Sequence, residues 1–168
     1  MKDENNCEIE LKRILMATDG SAQAFKAISY AVDLARVCGA QITLLMVADL
    51  NQHVSAFEQV SLSGYVPAEL KIAAFQFLAE LMHVIPAEIP AHTRVEIGEP
   101  AEIIVRVAEE EESDLIVLGS RGMSSRKGIF TGSVSRYVVK HAYCPVLVSK
   151  GMPDDWSERE EQEYEYDG

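Results

Sequence analysis

Glycines spaced around serines and three cations mark the part of this chain best suited to chemistry. Gly119-Ser120-Arg121-Gly122 is followed by nine residues and then by Gly132-Ser133. An apolar run, Asp114 to Gly119, precedes the stretch, and a run with helical periodicity begins near Gly132. It therefore reads as a loop between a buried strand and a helix N-terminus. The first turn of a helix carries unpaired N–H groups and a partial positive charge, which together favour an anion. Glycines let the main chain approach phosphate oxygens closely, and Ser133 adds a small hydroxyl donor. Arg121, Arg126 and Lys127 reverse the sign of a chain that is otherwise acidic. Lys127 is followed by glycine rather than Ser or Thr, so the loop is not a G-x-x-x-x-G-K-[ST] motif, and it contains no G-x-G-x-x-G. Taken alone, it suits a flexible turn as well as a phosphate cradle.

A second group of residues shifts that balance. The first apolar run ends in Ala17-Thr18-Asp19-Gly20. In doubly wound sheets, ligands sit beyond the carboxyl ends of the strands, where the strand order reverses. With the first and fourth strands adjacent, Asp19 and the Gly119 loop face one crevice. Asp19 is then placed to meet a ribose hydroxyl or a base edge; as a helix-start aspartate its role would be structural only.

Other chemistries lack support. His53, His83, His92 and His141 are scattered without ligand spacing, and no nucleophile elbow occurs. Glu109 to Glu112 reads as a solvated helix end. Cys7, Cys38 and Cys144 form no C-x-x-C pair, and the latter two read as small buried hydrophobes.

The elements that must position the crevice follow from hydrophobic periodicity. Strands are expected at Leu11 to Thr18, Gln41 to Ala48, His92 to Ile97 and Asp114 to Gly119, with a last one begun by Pro145. Ser21 caps a first helix that Gly39 ends. Pro67 opens a second helix with a buried stripe of Leu70, Ala73, Ala74, Phe77, Leu78 and Leu81, stopped by Pro86. Pro100 opens a third, packing Ile103, Ile104, Val107 and Ala108, and the fourth runs from about Gly132 to His141. Strand and helix alternate, so the fold class is α/β with a mostly parallel sheet. The irregular segment Asp49–Val66 reads as a functional flap or a locally disordered stretch. The division expected is an N-terminal extension (1–10), one domain (11–150) and an acidic tail (151–168), whose Trp156, Tyr164 and Tyr166 read as parts of a mobile segment.

Charge narrows the partners. Of the net −12, residues 151–168 contribute −7 through eight acids and one arginine. The remaining body, at −5, is a poor match for duplex nucleic acid. No signal peptide or membrane-spanning run is visible, and cytoplasmic location is the expectation.

Three motifs and a closing segment carry a resemblance to a known family: Ala17-Thr18-Asp19-Gly20-Ser21, Gly98-Glu99-Pro100, the spacing G-x2-G-x9-G-S from Gly119 to Ser133, and Cys144-Pro-Val-Leu-Val-Ser149. Together they resemble the universal stress protein family over residues 11 to 150. The resemblance implies one doubly wound domain with a five-stranded parallel sheet in order 3-2-1-4-5 and helices on both faces. It also implies the ATP-binding branch, which the glycine spacing marks. By similarity, Gly119, Gly122, Gly132 and Ser133 hold phosphates, with Ser120, Arg121, Met123, Ser124 and Val134 nearby. Thr18 and Asp19 lie at the ribose or adenine, and Val47 near the adenine, with Ala17 and Leu118 completing the set. Ala17 stands where many relatives have proline, which loosens the turn without removing a ligand. ATP, ADP or AMP is the implied nucleotide, with Mg2+ or Mn2+ on its phosphates. A homodimer through the last strand, Pro145 to Ser149, is also implied; the alternative is a tail folded over that edge. The function expected is an ATP-binding regulatory or stress-response protein with at most slow hydrolysis. A protein adaptor with a vestigial pocket and a nucleotide-dependent enzyme of the same architecture are the rivals.

Overall fold

Runs that are apolar at most positions form four of the five strands, the edge run Ala91–Ile97 being mixed, and runs apolar at every third or fourth position form the helices. The computed structural model describes residues 10–49, 68–120 and 132–150. In chain order the elements are β1 (Arg13–Thr18), α1 (Ala22–Cys38), β2 (Gln41–Ala48), α2 (Ala68–Met82), β3 (Ala91–Ile97), α3 (Pro100–Glu110), β4 (Leu115–Gly119), α4 (Ser133–His141) and β5 (Val146–Ser149). The strands form one all-parallel sheet in the order β3-β2-β1-β4-β5. This is the α/β class and strand order that the residues and the resemblance led us to expect.

Residue alternation divides the core into two layers. Ile14, Met16, Ile42, Leu44 and Val117 face α1 and α2, where Ile28, Leu78 and Leu81 meet them. Leu15, Ala17, Leu45, Ile116 and Leu118 face α3 and α4, where Ile104, Val107 and Val138 close over them. Strands β1, β2 and β4 are thus apolar on both faces because both are covered. Burying each large side chain contributes about 1.5–3 kcal/mol, so these layers hold the strand ends in fixed register.

Local signals set the helix ends. Ser21 Oγ accepts from Ala24 N–H at 3.3 Å, capping α1, and Gly39 takes the left-handed conformation (φ 70°) that ends it. Pro100 occupies the first turn of α3, where its missing N–H costs nothing.

Several expectations need correction. β1 begins at Arg13, β4 at Leu115 and β5 at Val146, after the proline. Ala73 is exposed to solvent rather than part of the α2 core stripe. Cys38 is exposed, because the last turn of α1 points it outward; Cys144 is half-buried, and burial raises its thiol pKa. The Glu109–Glu112 run is not simply solvated. Arg94 binds Glu110 at 2.6 Å and Glu111 at 3.0 Å, and the Thr43 hydroxyl donates to Glu111 at 2.7 Å. Glu96 and Arg106 complete this lattice on the β3 margin. Hydrogen bonds from Arg94 and Arg106 hold the Glu110 carboxyl below its usual range. Among the described residues, no helix is long and apolar enough to cross a membrane.

Candidate functional site

Parallel order places every strand's carboxyl end on one rim, and the order reverses between β1 and β4. A cleft of about 500 Å³ opens there. The reversal sends the following helices to opposite faces, leaving the strand ends between them uncovered.

β1 supplies the centre of the cleft. Thr18 Oγ1 accepts from Gly20 N–H at 3.2 Å, and Asp19 Oδ1 accepts from Ser21 N–H at 3.0 Å. Each side chain folds back on the chain two residues ahead, fixing a tight turn that presents Asp19 to the cleft. Gly20 has φ 82°, a conformation that favours glycine.

β4 and α4 supply the polar end. Gly119 and buried Ser120 lie at the end of β4, with Gly132, Ser133 and Val134 opposite. Gly132 N–H donates to the Ser120 carbonyl at 2.7 Å, tying the two stems of the glycine loop together. The buried Ser135 hydroxyl lies 3.2 Å from the Ser120 carbonyl and 3.1 Å from that of Gly132. It reinforces the same junction. No acidic side chain lies in the first turn of α4, and its Gly132 cap gives no side-chain hydrogen bond. The helix's leading N–H groups are therefore not capped by its own side chains.

β2 supplies apolar lining through Leu45, Met46 and Val47, and Asp49 follows at its end. Helices α2 and α3 close the apolar side, with Leu70, Ala74 and Phe77 from the first and Pro100 and Ile104 from the second.

Of the residues singled out in the sequence, Ala17, Thr18, Asp19, Val47, Leu118, Gly119, Ser120, Gly132, Ser133 and Val134 line this one cleft. Arg121, Gly122, Met123, Ser124, Arg126 and Lys127 lie outside the described residues, as do Trp156, Tyr164, Tyr166, Pro67 and all of the Asp49–Val66 segment except Asp49. The α2 wall and Ser135 were missed. The α2 wall read as a core stripe, and only the sheet order reveals that its first turns reach past the strand ends. Ser135 follows the glycine loop by two residues, and its small polar side chain amid an apolar helix pattern was the available signal.

His92 serves elsewhere: its Nε2 lies 3.0 Å from Thr43 Oγ1 on the β3 margin. The described residues contain no group of three His, Cys, Asp or Glu able to hold a metal ion.

Comparison with known proteins agrees with this architecture. The model of the universal stress protein family matches residues 10–150. A universal stress protein of Methanocaldococcus jannaschii is 31% identical over 158 residues, covering 86% of this chain and 85% of its own. The universal stress protein UspA from Lactobacillus plantarum superposes with a TM-score of 0.69 at 31% identity, over 84% of this chain and 99% of that one. The universal stress protein from Archaeoglobus fulgidus, solved in complex with dAMP, shares the fold with a TM-score of 0.61 at 23% identity, over 84% and 99% of the two chains.

Proposed function

This chain belongs to the universal stress protein family, and we propose that it is a regulatory protein that binds an adenine nucleotide, ATP foremost, in the cleft at the ends of β2, β1 and β4. The observation that carries this reading is the order of chemistry across three neighbouring strands. β2 offers an apolar wall, β1 an aspartate on a fixed turn, and β4 with α4 a glycine–serine cradle at a helix N-terminus. Strands lie about 4.8 Å apart, so the outer two of these stations are separated by roughly 10 Å. A ligand matching that sequence is flat and apolar at one end, hydroxylated in the middle and anionic at the other. A nucleotide has that build.

The residues present suit such a ligand. Val47 and Ala17 would bound the base, Thr18 and Asp19 the sugar, and Gly119, Ser120, Gly132 and Ser133 the phosphates. Leu118 and Val134 would support the floor beneath them. A divalent ion, Mg2+ or Mn2+, would travel with the phosphates, because no protein cluster among the described residues would hold it alone. Its chemistry would be charge neutralisation. Carrying ATP or ADP would give the protein two liganded states, and signalling follows only from a difference in affinity between conformations. Hydrolysis is slow at most in this reading, since the described carboxylates of the cleft, Asp19 and Asp49, follow β1 and β2 rather than the glycine–serine cradle assigned to the phosphates. The reading extends to a cytoplasmic homodimer paired through Pro145 to Ser149, where β5 offers an edge without charge.

Gly132→Val tests the cradle. Gly132 has φ −67° and ψ 162°, extended backbone that valine adopts readily, so the fold should be spared. Calorimetric titration should show ATP binding in the parent and none in the variant, with melting temperatures that change little. Equal affinities would remove the cradle from the mechanism.

A further inference from the structure

The apolar end of the cleft is built around one aromatic ring that ties three elements together. Phe77 projects from α2 into the cleft lining. Its ring is braced edge-on by Phe25 of α1, with centroids 6.2 Å apart and planes at 83°. On another side it abuts the β1 turn: a Cβ built on Gly20 would lie 3.2 Å from Phe77 Cζ. The turn that presents Asp19 and the ring of Phe77 therefore share one contact surface. Ala74 and Leu70, one and two turns earlier on α2, continue the same wall.

Polarity is unevenly spread over the described lining of the cleft. The serines, Thr18 and Asp19 belong to β1, β4 and α4, and Asp49 follows β2, whereas the α2 residues that line the cavity, Leu70, Ala73, Ala74 and Phe77, present carbon. An apolar wall with a fixed ring does nothing for phosphate. It lowers the free energy of a flat, poorly hydrated group placed against it.

We propose that Phe77 is the specificity-determining residue for the nucleobase, selecting a nucleoside-bearing anion over a bare polyphosphate. This rests on the nucleotide reading above and adds a residue, an element and a direction of selectivity to it. The bracing by Phe25 means that the ring is already in position before the ligand arrives, so little ordering cost is incurred on binding.

The test is titration of the full chain with three probes: ATP, adenosine and inorganic tripolyphosphate. Phe77→Ala should weaken ATP and adenosine alike, by roughly tenfold, in line with loss of one base–aromatic contact. Tripolyphosphate affinity should stay unchanged. Phe77→Leu preserves much of the packing against Gly20 and Phe25, and should recover the melting temperature while leaving ATP and adenosine weakened. Unchanged adenosine and ATP affinities in a folded Phe77→Leu protein would overturn the assignment. So would a loss of tripolyphosphate binding as large as that of ATP, which would mark general damage to the cleft. If the parent chain binds tripolyphosphate but neither ATP nor adenosine, the nucleotide reading itself fails, and the Phe77 assignment falls with it.

Discussion

The two ends of the parallel sheet are built on opposite plans. At the amino ends, side chains stitch neighbouring segments shut. Asp114 Oδ2 accepts from the N–H groups of both Lys12 and Arg13 at 2.8 Å. The Tyr143 hydroxyl lies 2.6 Å from the Ala108 carbonyl and 3.0 Å from that of Ser113, joining the end of α3 to the approach to β5. At the carboxyl ends, Thr18 and Asp19 fold back on their own turn, Ser135 holds the stems of the glycine loop, and a cleft remains between them. One end holds the strands together; the other is left open for a ligand. Stability and binding should therefore be separable by mutation.

Gly132→Val is the most severe test of that division from the open end. From the closed end, Asp114→Ala should have the largest effect on stability. It removes two hydrogen bonds to a charged acceptor, with an expected loss of about 3 kcal/mol, and ATP affinity should not change. Chemical denaturation alongside calorimetry checks both; a parallel loss of affinity would mean that the ends are coupled through β1.

Gly98→Ala sharpens the comparison because it lies at the open end yet supports the fold. Gly98 has φ 137°, and a Cβ there would approach Ile103 Cδ1 to 2.9 Å. The strain should cost about 2 kcal/mol. Since Pro100 lines the cleft two residues on, a modest fall in ATP affinity should accompany it. Stability measured without any change in affinity would separate α3 from the site.

Tyr143→Phe should have the smallest effect, about 1 kcal/mol, by deleting one hydroxyl from the closed end. It also carries a pH signature. Burial pushes the phenol above its ordinary value of 10.0, so the folded state holds the proton more tightly than the unfolded chain does. That contribution is whole below pH 10 and is lost as pH rises through the raised value. Thermal melts should show the parent's advantage over the variant shrinking above pH 10. A constant gap would contradict the burial argument.

Much of this division could be read from residue order alone. Val, Ile and Leu at consecutive positions required strands buried on both faces, and Ser21, Gly39 and Pro100 announced helix ends that the structure places within a residue or so. The polar half of the cleft was legible because glycine and serine spacing is a local property. The α2 wall was not. A leucine, an alanine and a phenylalanine at helical spacing look alike whether they face a core or a cavity, and only the three-dimensional ends of neighbouring strands distinguish the two. The Arg94 lattice was hidden for a related reason: it joins β3 to the end of α3, residues 16 and 17 positions apart, through a register no single segment encodes.

That lattice bears on how many copies of the molecule can gather. At β3, guanidinium and carboxylate groups occupy the margin, and adding a foreign strand there would require stripping water from ions already matched to one another. The opposite margin, Val146–Ser149, has no charged residue of its own. A sheet receptive along one margin only would be lengthened once, because the incoming copy would turn its own guarded side outward. If a second copy pairs along β5 as proposed, growth would halt at a pair, short of the fibres that need a sticky surface at both extremities.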